Sequence, residues 1–337
     1  MTVTAPPVPQ LPPSARPHVR AMRLLRDEAW TGALAVLLAG LLIWQSTQVF
    51  RWGAFELETL FVSTLPLVFL ALAQTVVVIA GGIDLSVGAQ MVLFNCVSGY
   101  LMLDAGFGMS LLYAVLVIVL GMAVGVLTGW IVTISGVPDI IVTLATGFIW
   151  VGVALWIMPQ PGGGAPDSFR ELFTGTGTAF WPALLCIAIP VAVVWTLLRR
   201  TRTGLSIYAL GSDPQAAFLA GVDARKARLS AYALAGVFTA LAGLATTAYT
   251  GGGQASLGVA NTATLGAVAA VVLGGVALTG GVGGLIGPVL AVWCLFLIPA
   301  NLLTLGVDPA YGEVVRGVVI VLVVLGGSLL RRKWSRT

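Results

Sequence analysis

Residues 60–88 read LFVSTLPLVFLALAQTVVVIAGGIDLSVG. From Leu60 to Ala80 there is no charged side chain, and about 20 apolar residues are what a helix needs to cross a hydrocarbon core of ~30 Å. The run stops at Gly81-Gly82, where paired glycines permit a sharp break, and a second apolar run starts at once. Similar runs recur along the chain, at 30–49, 60–80, 85–103, 109–134, 138–158, 181–198, 229–250, 262–278, 282–300 and 312–330. The expected fold is an all-α polytopic membrane protein with about ten transmembrane helices. The span 262–278 has Gly-rich flanks that also suit a broken or re-entrant segment.

Composition agrees with lipid as the main solvent. Hydrophobic residues make up 58% of the 337 positions and charged residues only 9%, against about 25% charged in soluble domains. The net charge of +4 points to topology and away from a nucleic-acid partner. Its basic residues cluster before the first span (Arg16, Arg20, Arg23, Arg26), between spans six and seven (Arg199, Arg200, Arg202, Arg225, Lys226, Arg228) and at the end (Arg331, Arg332, Lys333, Arg336). With ten spans all three clusters face the same side, as the positive-inside rule requires of the cytoplasm. Both termini and the 199–228 loop are therefore expected inside, and the 159–180 loop outside.

The domain reading follows. Residues 1–29 hold six prolines and four arginines and are expected as a cytoplasmic tail without a packed core. The membrane-spanning body is 30–330, and 331–337 is a basic cytoplasmic tail. The N-terminus does not read as a cleavable signal, since its charged region is long and no small-x-small site follows the first apolar run. Within the outer loop, Asp167 to Phe173 is expected to form one short surface helix.

A possible internal repeat has an offset of 170 residues. Gly81-Gly82-Ile83-Asp84-Leu85-Ser86-Val87-Gly88 aligns with Gly251-Gly252-Gly253-Gln254-Ala255-Ser256-Leu257-Gly258, and Gly136-Val137-Pro138-Asp139 with Gly306-Val307-Asp308-Pro309. Chance matches are common in a Gly-rich chain, but the shared offset favours a five-plus-five inverted repeat of the kind transporters use.

Chemistry-bearing residues are few. Asp84 and Asp139 each have a structural reading as helix-start residues and a functional one as intramembrane carboxylates on a solute path. Gln74, Ser86, Asn95, Thr143, Asn261 and Thr264 complete the candidate translocation path; helix-to-helix hydrogen bonding is their competing role. Glu313 and Arg316 are spaced to form an ion pair on a helix. Cys96, Cys186 and Cys294 lie in apolar spans as free thiols. The single histidine, His18, offers nothing for a metal site or a triad, so no catalytic or metal-binding residues are expected. The Gly-rich stretch 266–287 lacks a Gly-Lys-Ser or Gly-Lys-Thr, so it reads as close packing and a turn, and not as a phosphate loop.

These features together carry a resemblance. Over about 60–330 the chain resembles the inner-membrane permeases of bacterial ABC importers for ribose and related monosaccharides, a branch that also serves other sugars and a furanosyl signalling molecule. The match rests on Gly81 to Gly88, on Gly136-Val137-Pro138 leading into Ile141 to Thr146, and on Thr203-Gly204 through Tyr208 to Gly211. Asp213-Pro214-Gln215-Ala216-Ala217 and Ala220-Gly221-Val222 follow. The resemblance implies that Asp213, Pro214, Gln215, Ala216, Ala217 and Gly221 form a coupling helix, commonly Glu-Ala-Ala with a glycine six residues after the Glu. Here Gln replaces that Glu and Asp213-Pro214 stands where Asn-Pro is usual. It also implies an ABC ATPase subunit as partner with ATP and Mg bound there, a periplasmic solute-binding protein, and a second permease copy, identical or related. No cofactor is expected on this chain. The residues agree independently: Asp213 is a good helix N-cap and Pro214 suits the first helical position. A proton-coupled secondary transporter is the main rival, and a membrane-embedded enzyme a distant third.

Overall fold

The computed structural model describes residues 17–49, 52–175, 179–308 and scattered positions between 311 and 321, with backbone alone for 17–29. Twelve helices succeed one another among them: α1 (Pro17–Gln48), α2 (Ala54–Ile79), α3 (Val87–Met102), α4 (Phe107–Ser135), α5 (Asp139–Ile157) and α6 (Asp167–Thr174), then α7 (Trp181–Arg200), α8 (Arg202–Ser212), α9 (Pro214–Leu219), α10 (Ala224–Thr250), α11 (Leu257–Leu273) and α12 (Ile286–Thr304). Seven of these, α1, α2, α4, α5, α7, α10 and α12, are long and apolar enough to cross a membrane; α3 and α11 are apolar but shorter. No strand occurs among the described residues, only an antiparallel bridge between Gly162 and Gly253.

The expected spans correspond to these helices with ends that differ by several residues, as where α2 starts at Ala54 and α10 at Ala224, and three points stand out. The first helix starts at Pro17, inside the expected tail, because after that proline no residue that disfavours a helix interior intervenes before Gly32. The span expected at 262–278 is shifted to 257–273: Ser256 starts it, its Oγ accepting the Val259 N–H at 3.4 Å, and Gly274-Gly275 end it, with Gly275 at φ +82°. The span 312–330 and the Glu313–Arg316 pair lie largely outside the described residues.

Helices α2 and α10 form the centre. Residues from Val68 to Ile79 of α2 are buried without interruption, which is why that stretch is apolar on every side and not on one stripe. Helix α10 packs against α2, α3 and α4. Its approach to α4 is a small-residue contact: a Cβ on Gly121 or Gly125 would strike the α10 backbone at Gly236, and one on Gly236 would strike Gly121. Helices in lipid associate chiefly through such close packing. Apolar side chains of α4, such as Leu112, Val115 and Val119, stay exposed, as expected of a surface that meets lipid or another chain.

Candidate translocation and coupling site

The break between α2 and α3 arises because Gly81 takes φ +85°, a conformation that costs glycine nothing. Three residues later in the turn Asp84 is 1% exposed. Its Oδ1 accepts the Ser86 backbone N–H at 2.7 Å and the Ser86 hydroxyl at 2.6 Å. The carboxylate was expected to cap α3, but it stands two residues before the N-cap, which is Ser86, and reaches only that residue. The bonds continue inward: the Gln90 amide donates to Ser86 Oγ at 2.8 Å, and the Thr239 hydroxyl of α10 donates to Gln90 Oε1 at 3.0 Å.

Asp139 opens α5 beside this break. Thr143 Oγ1 accepts the Leu85 N–H at 3.0 Å and donates to the Asp139 carbonyl at 2.8 Å, fixing α5 to the turn. Asp84 Oδ2, Asp139 Oδ2 and the Tyr232 hydroxyl are buried without a hydrogen-bond partner. The last two converge on Gly82, where a Cβ would stand 2.6 Å from Asp139 Oδ2 and 3.4 Å from the Tyr232 oxygen. The structure thus brings Asp84, Ser86, Asp139 and Thr143 together at one end of α3.

The remaining path candidates lie elsewhere. Gln74 is wholly buried in α2 with both amide atoms unpartnered. Thr264 of α11 accepts the Gly88 N–H at 3.1 Å, a helix-to-helix bond, and the exposed Asn261 shares with it a crevice of about 10 Å³, barely room for one water.

Asn95 stands toward the opposite end of α3. It donates to Thr247 Oγ1 and to the Gly252 carbonyl, each at 2.9 Å, and its Oδ1 accepts the Gln254 N–H at 2.9 Å. Next to it, Gly162 and Gly253 exchange two backbone hydrogen bonds of 3.0 and 2.8 Å, and Gly164 N–H donates to Gly99 O at 2.9 Å. A cavity of about 490 Å³ opens there, bounded by α3, the 161–163 loop and the 246–254 segment. Gln90, Ser98, Thr239 and Thr247 take part in these two networks and were not anticipated. Their only signal is polarity inside apolar runs, which does not say which partner each meets.

The expected coupling segment is helical from Pro214 to Leu219. Asp213 Oδ1 accepts the N–H groups of Gln215 at 2.9 Å and Ala216 at 3.0 Å, and Gly221 turns the chain at φ +80°. Asp213, Pro214, Gln215, Ala216 and Gly221 are exposed, but Ala217 is 5% exposed and faces inward. The exposed apolar side chains of the helix are instead Phe218 and Leu219, at 74% and 85%. Their signal in the sequence was an apolar pair within the basic loop. The loop also contains an unexpected helix, α8, whose N-cap Thr201 accepts the Gly204 N–H at 3.1 Å. Tyr208 of α8 donates to Gly283 O at 2.9 Å, and burial pushes its hydroxyl above the usual range, so it remains a neutral donor. After α9, the Lys226 N–H, 3.0 Å from Asp223 Oδ1, and the Lys226 ammonium, 3.2 Å from Oδ2, hold the Asp223 carboxyl below the usual carboxylate range.

The family model described as "Branched-chain amino acid transport system / permease component" matches residues 56–324. The chain belongs to this family of transport permeases. Relatives of the permease include the ribose import permease of Bacillus subtilis, 33% identical over 76% of this chain and 79% of that one. An autoinducer 2 import permease of Yersinia enterocolitica is 32% identical over 88% and 82%, and the fructose import permease of Rhizobium meliloti is 29% identical over 77% and 74%. No solved structure matches. The permease is therefore a multi-pass inner-membrane transport subunit of the ABC type, whose ATPase is a separate subunit.

Proposed function

We propose that this permease takes a monosaccharide or similar small polar solute from a periplasmic binding protein and passes it to the cytoplasm, driven by ATP and Mg on a partner ATPase. The sugar assignment rests on relatives named for ribose and fructose. In this reading the permease holds no cofactor, a second copy, identical or related, completes the path, and α9 seats on the ATPase.

The observation that carries the coupling role is a junction of three backbones. A Cβ on Gly211, at the end of α8, would fall on the Ile79 carbonyl oxygen and 2.6 Å from Gly281 N, while one on Gly280 would stand 2.8 Å from Gly81 Cα. Movement of α9 therefore reaches the α2–α3 break without a side chain in between to absorb it. A basic topology signal alone needs no such contact.

Ten spans and an inverted repeat complete the proposal. Helix α2 starts at Ala54 and α10 at Ala224, α3 at Val87 and α11 at Leu257. Positive-φ glycines stand at Gly81 and Gly251, and again at Gly136 and Gly306. Each pair has the 170-residue offset of the sequence match, which supports two related halves. Ten spans would then set both termini and 199–228 inside and 159–180 outside.

The test is the double substitution Phe218→Asp, Leu219→Asp in the full chain, with ATP-driven uptake and ATPase co-purification measured together. Both are expected to fall about tenfold or more, since burying two carboxylates against an apolar cleft costs several kcal/mol, while membrane insertion is unchanged. Wild-type values for both would overturn the assignment, and uptake that follows a pH gradient without ATP would establish the proton-coupled rival.

A further inference from the structure

We propose that the corner between α7 and α8 is a binding site for an anionic phospholipid, whose phosphate is held by Arg199, Arg200 and Arg202 while an acyl chain lies along the outer face of α7. The site is independent of which solute the permease carries.

Positive charge is concentrated at this corner and unanswered there. The three guanidiniums stand within four residues, and from Trp181 to Ser212 the chain has no Asp or Glu. All three arginines are exposed. Among the described residues the ion pairs join Arg170 to Asp167 and Lys226 to Asp223, and neither uses these arginines. Arg199 is already held in place: its guanidinium carbon lies 4.5 Å from the centre of the Trp195 ring and 5.3 Å from that of Tyr208. Tyr208 is itself fixed by its bond to Gly283 O, so the stack limits the freedom of Arg199 before any anion arrives. The first turn of α8, after the N-cap Thr201, points its backbone N–H groups at the same corner, where a helix start favours negative charge. Arginine is the side chain whose planar fork best matches a phosphate.

An apolar row leads to this charge. Leu185, Ile189, Val193 and Leu197 are exposed and recur every four residues, which places them on one inclined row along α7. Arg200 stands three positions beyond Leu197 and continues that face. From Leu185 to Leu197 the helix rises about 18 Å, close to the ~15 Å that one leaflet contributes to a hydrocarbon core of ~30 Å. An acyl chain laid on the row therefore brings its headgroup to the arginines. Trp195, half-buried beside them, is of the residue type enriched where hydrocarbon meets headgroups.

A second copy of the chain suits this surface less well than lipid. In the same bilayer orientation it would bring its own arginines to the same depth, and like charges facing each other repel. A zwitterionic lipid also fits less well, since its ammonium would stand among three guanidiniums and offset what its phosphate gains. The corner thus selects a headgroup of net negative charge.

Native mass spectrometry of the full chain in detergent, offered equimolar phosphatidylglycerol and phosphatidylcholine with identical acyl chains, reads the choice directly. A basic residue near an anionic headgroup contributes about fivefold. The parent should therefore favour phosphatidylglycerol about twenty-five-fold or more, and the double variant Arg200→Gln, Arg202→Gln should come within about fivefold of equality. The single variant Arg200→Gln should lose about fivefold and serves if the double variant does not insert. Arg225→Gln with Lys226→Gln removes the same charge from the neighbouring loop and should keep the preference of the parent. Excess inorganic phosphate should leave the lipid bound, because a free anion makes no contact with the apolar row. Equal binding of the two lipids by the parent, equal losses in the two double variants, or displacement by inorganic phosphate would overturn the site. A parent without lipid preference whose Arg200→Gln, Arg202→Gln variant loses the co-purifying ATPase would assign these arginines to a protein surface and would also overturn it.

Discussion

Gly281 donates its backbone N–H to the carbonyl of Ile79 at 2.9 Å, tying the Gly-rich connection after α11 to the last turn of α2. Gly211 closes the same junction from α8. Three segments far apart in sequence thus meet next to the turn that holds Asp84.

Gly211→Ala tests this junction. The added methyl has no room against the Ile79 carbonyl, and overpacking of this kind costs about 1–3 kcal/mol. The expected result is a lower unfolding temperature in detergent and reduced uptake at normal membrane insertion. Unchanged unfolding and uptake together would show that the junction opens freely and transmits nothing.

Asp84 separates charge from structure. Asp84→Asn keeps an oxygen for the two Ser86 bonds and should retain most uptake. Asp84→Leu leaves the buried Ser86 N–H unpaired, at about 1–3 kcal/mol, and should reduce the amount of folded protein. A folded Asp84→Asn permease without uptake would mean that the carboxylate charge is required, as a proton-coupled mechanism predicts.

Glycine contacts between helices differ sharply in what they tolerate. Gly236→Ala would push its methyl into the Gly121 backbone and is expected to destabilise the α4–α10 pair by about 1–3 kcal/mol. Gly152→Ala in α5 meets nothing within 4 Å and should be neutral or stabilising by up to about 1 kcal/mol through helix propensity. Thermal unfolding of the two variants side by side checks the contrast; equal values would mean that α4 and α10 can separate without cost.

Asn95→Ala removes the donor to Gly252 O and the acceptor for Gln254 N–H, leaving the 252–254 backbone without its anchor on α3. The expected loss is about 1–3 kcal/mol for each polar group left buried and unpaired. Asn95→Asp should also destabilise, because a carboxylate oxygen would face the Gly252 carbonyl where an amide N–H now donates. Hydrogen exchange at Gln254 provides the check: protection equal to wild type in both variants would contradict the anchoring role.

Much of this architecture was legible from local sequence. A span needs only length, apolarity and an end signal, and all three are written contiguously, as in Leu60 to Gly82. Helix α6 was legible between its Pro and Gly flanks for the same reason. Helix α9 was legible because a cap acts over two or three residues: Asp213 meets the N–H groups of Gln215 and Ala216.

Less was legible where a pattern had competing readings. Asp84 next to two glycines looks like a helix cap, and only its distance from Ser86 in the folded turn made it a partner of that residue instead. Ala217 looks like a small surface for a partner, but the fold turns it inward and presents Phe218 and Leu219.

The sequence by itself determined that this chain lives in lipid, where most of its helices break and where the short capped helix α9 starts, since each depends on neighbours within a turn or two. Only the tertiary structure decided which polar residues share a place. Asn95 meets Thr247 and Gln254 across more than 150 residues of chain, and Gly211 meets Ile79 and Gly281. Those meetings follow from how helices pack side by side in three dimensions, and no spacing along the chain encodes that distance.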